Sequence, residues 1–170
     1  MTTTPTPTGP AAATPAPARP TPDLLFLLSQ AAHVLTTEHT AGLAGLGVSP
    51  RGYCVLSSAL GCERTQKELA EICALDKTTM VVTLDELERA GLARRRPSPT
   101  DRRARIVTVT EAGERKLSEA GAIVSRIQDD VLSALPVQER GAFVSALRRL
   151  VGGRLANPVP CERTVRRRGP

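Results

Sequence analysis

Residues 65–110 read TQKELAEICALDKTTMVVTLDELERAGLARRRPSPTDRRARIVTVT. The Thr65 hydroxyl can accept from the amide three residues on while Glu68 reaches back to the Thr65 amide, a capping box ahead of Leu69 and Ile72. A helix begins there and runs uninterrupted to a turn at Ala74-Leu75. Asp76 caps a second helix, in which Met80, Leu84 and Leu87 recur at i, i+4 and i+7 on one apolar face. Gly91 suits the left-handed residue that ends it. Two helices joined by so short a turn read as a helix-turn-helix, whose second member enters a DNA major groove.

Beyond Gly91, the segments 92–96 and 105–109 alternate like strands and flank a Pro-Ser-Pro-Thr-Asp turn, which predicts a hairpin, the wing of a winged helix. Between positions 94 and 105, six Arg stand against one Asp, a local charge of +5 on a chain whose total is +6. Taken alone, such a run is a solvated face. Beside a helix-turn-helix it is a footprint for phosphate, and an Arg at the loop tip can enter a narrow minor groove.

The run from Gln66 to Gly113, with KELA, DKTT, LDELERAGL, RRPSPTDRRA and VTEAG, resembles the multiple-antibiotic-resistance regulator (MarR) family of winged-helix transcription factors. Flanking helical patterns extend the resemblance from about residue 23 to 155. It implies a mainly α fold with a small β-hairpin wing, flanked by N- and C-terminal dimerisation helices. It also implies homodimers that bind pseudo-palindromic duplex operators, usually as repressors released by a small ligand or an oxidant. Asp101 and Arg103 match the wing motif D-x-R, with Arg103 as the minor-groove residue, and Asp76 matches an acid that in some members braces that Arg. The chain departs from the family where Val81-Val82 replaces a Ser or Thr followed by Arg, and where Glu86 replaces a frequent Arg. Either Val packs on thymine methyl groups or one of the two belongs to the core.

The major-groove set is then Lys77, Thr78, Thr79, Val82 and Thr83. Arg102 and Arg103 form the wing tip; Arg94, Arg95, Arg96 and Arg105 hold phosphate or brace the wing, and Asp76 and Asp101 brace it too. By the family's placement of ligands, His33, Arg51 and Tyr53 are candidate pocket residues, and an Arg there favours a small anionic or aromatic ligand; a surface Arg at a helix start is the other reading. The alternative for the whole domain is a winged-helix protein-interaction module with only non-specific DNA affinity, docking through Val81-Val82.

At 170 residues the chain holds one domain with a sizeable core. Two Phe, one Tyr and no Trp leave the core to aliphatic side chains, which suits a helix-rich fold. A pI near 9.8 favours a polyanionic partner. Residues 1–22 contain seven Pro, seven Thr and five Ala, too little apolar surface to offset ordering, and are expected to be a disordered arm. They have neither the basic start nor the apolar core of a signal peptide, and no stretch approaches the roughly 20 apolar residues that span a bilayer, so the expected location is cytoplasmic.

The domain itself spans 23–153, with a DNA-binding lobe at about 49–110 and dimerisation helices at about 23–44 and 110–153. Asp23 caps the first helix, ended by Gly42, Gly45 and Gly47; Ser49-Pro50 starts the next, running through Tyr53, Leu56 and Leu60. Thr110 opens a helix to about Ser133 with Leu117, Ala120, Val124, Ile127 and Val131 on one side, and Pro136 begins a last one with Phe143, Leu147, Leu150 and Val151. These terminal helices carry more apolar surface than one winged domain covers, which predicts interlocking with a second chain. The tail 154–170 has five Arg against one Glu and is expected to be flexible and basic.

Enzymatic chemistry is not expected: the sequence shows no Ser/His/Asp set, Gly-rich phosphate loop or metal cluster. His33 and His39 are six apart, share no helix face well, and have no partner at i+4 to complete a ligand set, so neither metal nor cofactor is expected. Of four cysteines, Cys54, Cys62 and Cys73 read as buried, inert thiols, and Cys161 in the basic tail as a weak sensor candidate. The reactive Cys that redox-sensing relatives place in the first helix is missing.

Overall fold

The computed structural model describes residues 23–156. The arm at 1–22, residues 157–170 of the basic tail, and Cys161 with them lie outside the described residues. The chain divides into two units, Met1–Leu35 and Thr36–Pro170.

Of the first unit, the described part is the opening of α1 (Leu24–Leu43). Asp23 Oδ1 accepts from the Leu25 amide at 3.3 Å. Leu24, Leu25, Phe26, Leu27 and Val34 are all exposed.

The second unit takes α1 onward through a 3-10 turn (Ala44–Leu46), α2 (Pro50–Ala59), β1 (Arg64–Thr65), α3 (Gln66–Ile72), α4 (Lys77–Arg89), β2 (Ala93–Pro97), β3 (Arg105–Val109), α5 (Glu111–Ser133) and α6 (Val137–Gly152). Side-chain caps start four of these helices. Ser49, Thr65, Asp76 and Thr110 accept from the amides of Gly52, Glu68, Thr79 and Gly113, and the Thr65/Glu68 pair closes both halves of its capping box. Pro50 occupies the first turn of α2, where an amide would have no helical partner. α1 runs through Gly42 and stops only at Leu43; the left-handed residue that follows is Gly47.

α3 ends in a Schellman arrangement: the Leu75 amide donates to Ala70 O at 2.9 Å and the Ala74 amide to Glu71 O at 3.2 Å. The left-handed position falls on Ala74 at φ +50°, where glycine is usual.

The sheet is antiparallel in the order β1-β3-β2, with Arg64 opposite Val107 and Arg95 opposite Val107 on the other side. The third strand, β1, is absent from the sequence expectation because two residues carry no alternation to detect. One core lies under the winged domain, where Val55 and Leu56 of α2, Leu69, Met80, Leu84 and Val107 meet with almost no exposure. Leu43, Ala120 and Val124 form a second, smaller cluster against α5, and Tyr53 packs on both. Burial on α5 fades toward its end, where Val131 is exposed, and no residue of α6 is fully buried.

No helix of the described residues is long and apolar enough to cross a membrane.

Candidate nucleic-acid interface

The second helix of the pair, α4, divides cleanly by exposure. Met80, Thr83, Leu84 and Leu87 are buried; Lys77, Thr78, Val82, Glu86 and Arg89 are exposed. Positions 78, 82, 86 and 89 follow the helical repeat, so they make one outward stripe. Val82 is 51% exposed, whereas Val81 is half-buried, which makes Val82 the outward-facing member of the pair. Thr83 is on the inner side: it is 4% exposed and its hydroxyl donates to Thr79 O at 2.8 Å. The expected groove set therefore loses Thr83 to the core. The Thr79 hydroxyl is occupied by Asp76 Oδ2 at 2.6 Å, while Asp76 Oδ1 accepts from the Thr79 amide at 2.9 Å. These bonds hold the Asp76 carboxyl below its ordinary range, the Thr79 hydroxyl contributing most.

Asp76 is thus spent on capping, and among the described residues no ion pair joins it to Arg103. The bracing of the wing lies elsewhere. Arg95 on β2 donates from its amide to Glu88 Oε1 at 2.7 Å and from Nε to Glu88 Oε2 at 2.9 Å, and its Nη2 reaches both Glu88 and Asp85. The Arg95 bond holds the Glu88 carboxyl below the usual carboxylate range; Glu88 and Asp85 in turn raise the Arg95 pKa. Arg96 pairs with Glu63, just ahead of β1. Sequence reasoning missed Asp85, Glu88 and Glu63, although strand alternation separates Arg95 from its neighbours and could have pointed it back at α4.

The loop between the strands is organised by Ser98. Its hydroxyl, 7% exposed as a residue, accepts from the amides of Thr100 and Asp101 at 3.3 Å each, and its amide donates to Ala104 O at 3.1 Å. At the tip, Asp101 Oδ1 accepts from the Arg103 amide at 2.8 Å. Arg105 Nη1 donates to the Arg102 and Ala104 carbonyls. Arg94, Arg102 and Arg103 are exposed, and among the described residues no carboxylate pairs with them. Between α3, the start of α4 and this tip runs a cleft of about 800 Å³ edged by Lys67, Lys77, Arg103 and Arg105.

His33 is exposed on α1, Arg51 is exposed at the start of α2, and Tyr53 is half-buried between the two clusters. Arg51 and Tyr53 line neither this cleft nor a second one of about 590 Å³, between Glu38 and Gly42 on α1 and Ile123, Arg126 and Asp130 on α5. No group of three or more metal-ligating side chains occurs among the described residues. Cys54 and Cys62 are exposed and Cys73 is half-buried, contrary to the expectation of buried thiols. Cys54 sits on α2 one turn before the half-buried Ser58, and Cys62 in the open turn that follows the helix.

A capped helix pair, an exposed stripe on its second member and a cationic hairpin beside it define a winged helix-turn-helix protein. Comparison with known proteins agrees. The model of the MarR family matches residues 55–104. The transcriptional repressor CouR, solved on a 23-mer DNA duplex, is 28% identical over 75% of this chain and 92% of its own, with a TM-score of 0.68. A MarR-family regulator from a Rhodococcus species is 26% identical over 81% and 95%, with a TM-score of 0.70. CouR from Rhodococcus jostii, solved with p-coumaroyl-CoA, is 28% identical over 82% and 96%, with a TM-score of 0.67. Over residues 55–104 the chain matches the MarR family model, and over most of its length it has the fold of winged-helix transcriptional regulators of that family.

Proposed function

We propose that the protein is a homodimeric repressor that reads pseudo-palindromic duplex DNA in the cytoplasm and releases it in response to a small ligand or an oxidant. The observation that carries the DNA reading is the adjacency of two surfaces. The outward stripe of α4 presents Lys77, Thr78, Val82 and Glu86, and the neighbouring wing presents Arg102 and Arg103, which no carboxylate pairs with among the described residues. In this reading α4 lies in the major groove, with Thr79 turned to capping its own helix. Arg103 enters the minor groove, and Arg94 and Arg105 meet phosphate. Arg95 and Arg96 are braces, since each is committed to a carboxylate.

The dimer is supported by apolar surface left uncovered at both ends of the described chain: Leu24, Leu25, Phe26 and Leu27 on α1, and Val137, Phe143, Leu150 and Val151 on α6. α5, at 23 residues, is about 34 Å long at 1.5 Å per residue, which is the spacing of successive major grooves on one side of a duplex. A ligand of anionic, aromatic character is suggested by the relative solved with p-coumaroyl-CoA. His33, Arg51 and Tyr53 remain the candidate residues to receive it.

Selection of random duplex with the purified full chain, at two salt concentrations, tests the reading. The expected product is a palindrome with half-site centres about 10 bp apart, bound by a species of twice the chain mass. Recovery of no common sequence would sink the operator hypothesis and leave docking through Val82 as the better account of α4.

A further inference from the structure

α2 and the end of α3 bring two thiols together at a site the DNA reading does not use. Cys54 and Ser58 are four residues apart on α2 and so share a face. Cys73, the C-cap of α3, sits against that face: its Sγ is 3.6 Å from Ser58 Oγ, one helical turn from Cys54. Arg64 of β1 donates from Nη1 to Ser58 O at 2.8 Å, which fixes its guanidinium beside the same cluster. Cys54 is exposed and Cys73 half-buried, so a small solute reaches the pair from solvent.

The cluster suits one thiolate and one thiol. The neighbouring Cys54 thiol, and with it the Ser58 hydroxyl and Arg64, lower the Cys73 pKa against the cost of burial. Cys54 is pushed up, first by its Cys73 neighbour and further by burial. Cys73, with Arg64 and the Ser58 hydroxyl beside it, is the sulfur favoured as thiolate, and Cys54 the thiol placed to resolve what it forms.

We infer that Cys54 and Cys73 are an oxidant-responsive pair that closes into an intrachain disulfide on reaction with a peroxide. The Cys73 thiolate attacks one peroxide oxygen; an S–O bond forms as the O–O bond breaks, and the departing oxygen takes a proton and leaves as water or alcohol. The Cys54 sulfur then attacks the Cys73 sulfur; the S–S bond forms, the S–O bond breaks, and the hydroxyl leaves as water with the Cys54 proton. Two thiols lose two electrons and one peroxide gains them. The new bond would tie α2 to the residue three before the Asp76 cap of α4. It makes the oxidant part of the proposed function specific, and rests on that reading only for its effect on DNA.

The test uses the full chain carrying Cys62→Ser and Cys161→Ser, so that only the pair remains. After stepwise addition of hydrogen peroxide, the protein is digested with trypsin without reductant and weighed. The expected product is peptide 52–64 joined to peptide 68–77 and lighter by two hydrogens. Cys54→Ser should abolish it and leave a sulfenic acid at Cys73 that dimedone traps. Absence of the joined peptide, or equal trapping at residue 54 when Cys73 is replaced, overturns the inference. A joined peptide from a protein that selects no operator would leave the pair standing and remove the DNA reading.

Discussion

The Arg95 side chain and its own backbone amide both close on the Glu88 carboxylate, with Asp85 beside it, so one wing residue fastens to two residues of α4. The Arg95 and Glu88 side chains keep some exposure, 22% and 31%, which places the pair between a surface bridge and a buried one. Glu88→Gln should cost about 1 kcal/mol at neutral pH. The sign of the pH dependence follows from the depressed Glu88 pKa. The carboxylate contributes stability above its unfolded pKa, about 4.3, and that contribution is lost as pH falls through the lower folded value. Urea titrations of both proteins at pH 7 and in acid below pH 4 should show the gap closing; a gap that persists unchanged would mean that charge is not what fastens the wing.

Gly113 lies where α5 leaves the wing. A Cβ there would sit 2.1 Å from Leu92 O and 2.8 Å from Val109 Cγ1, and the first of these is backbone that cannot swing away. Gly113→Ala is expected to destabilise by about 1–3 kcal/mol, lowering Tm by about 2–4 °C for each kcal/mol. Thermal melts would check this. A change within experimental scatter would mean the approach is looser than described.

Arg103 is held at the tip by its amide on Asp101 while its side chain stands exposed. Arg103→Ala should weaken DNA binding and lower the salt slope by about 0.9 if one phosphate contact is lost. If the side chain lies in the minor groove, the loss is greater on A/T-rich flanks. Fluorescence anisotropy on two operators that differ only in their flanks separates the cases, equal losses pointing to phosphate alone.

Val82 and Glu86 occupy consecutive turns of the exposed stripe, and neither can act as the long cationic reader of guanine. A Val packs on a thymine methyl and a Glu accepts from cytosine N4. Val82→Ala should relax a preference for thymine by about 0.8 kcal/mol per buried carbon lost, and Glu86→Ala a preference for cytosine at a neighbouring step. Competition between single-base operator variants measures both. Unchanged preferences would place α4 out of register with this assignment.

What could be read from the chain was what is locally determined. Thr65 with Glu68, Asp76, Ser49-Pro50, Thr110 and Gly91 each act within three or four residues, so their caps and stops were legible, and with them the helix pair and the hairpin. What depends on tertiary position was not. Thr83 turned inward because the phase of α4 is set by Leu84 and Leu87 against the core, and one residue of phase moves a side chain by 100°. Asp76 matches a family acid by position, yet the Thr79 hydroxyl claims it first. The three cysteines were judged by residue type, which favours burial, whereas Cys54 is exposed on α2.

Thr110 gives the domain its stiffness in one respect. Its amide donates to Leu92 O at 3.0 Å and its hydroxyl to Gly91 O at 2.7 Å, while the same hydroxyl caps α5 by accepting from Gly113. A rotation of α5 about its first turn must therefore carry the end of α4 and the root of the hairpin with it, or break two bonds to do otherwise. The first turn of α5 and the root of the hairpin are tied into one unit by a single residue.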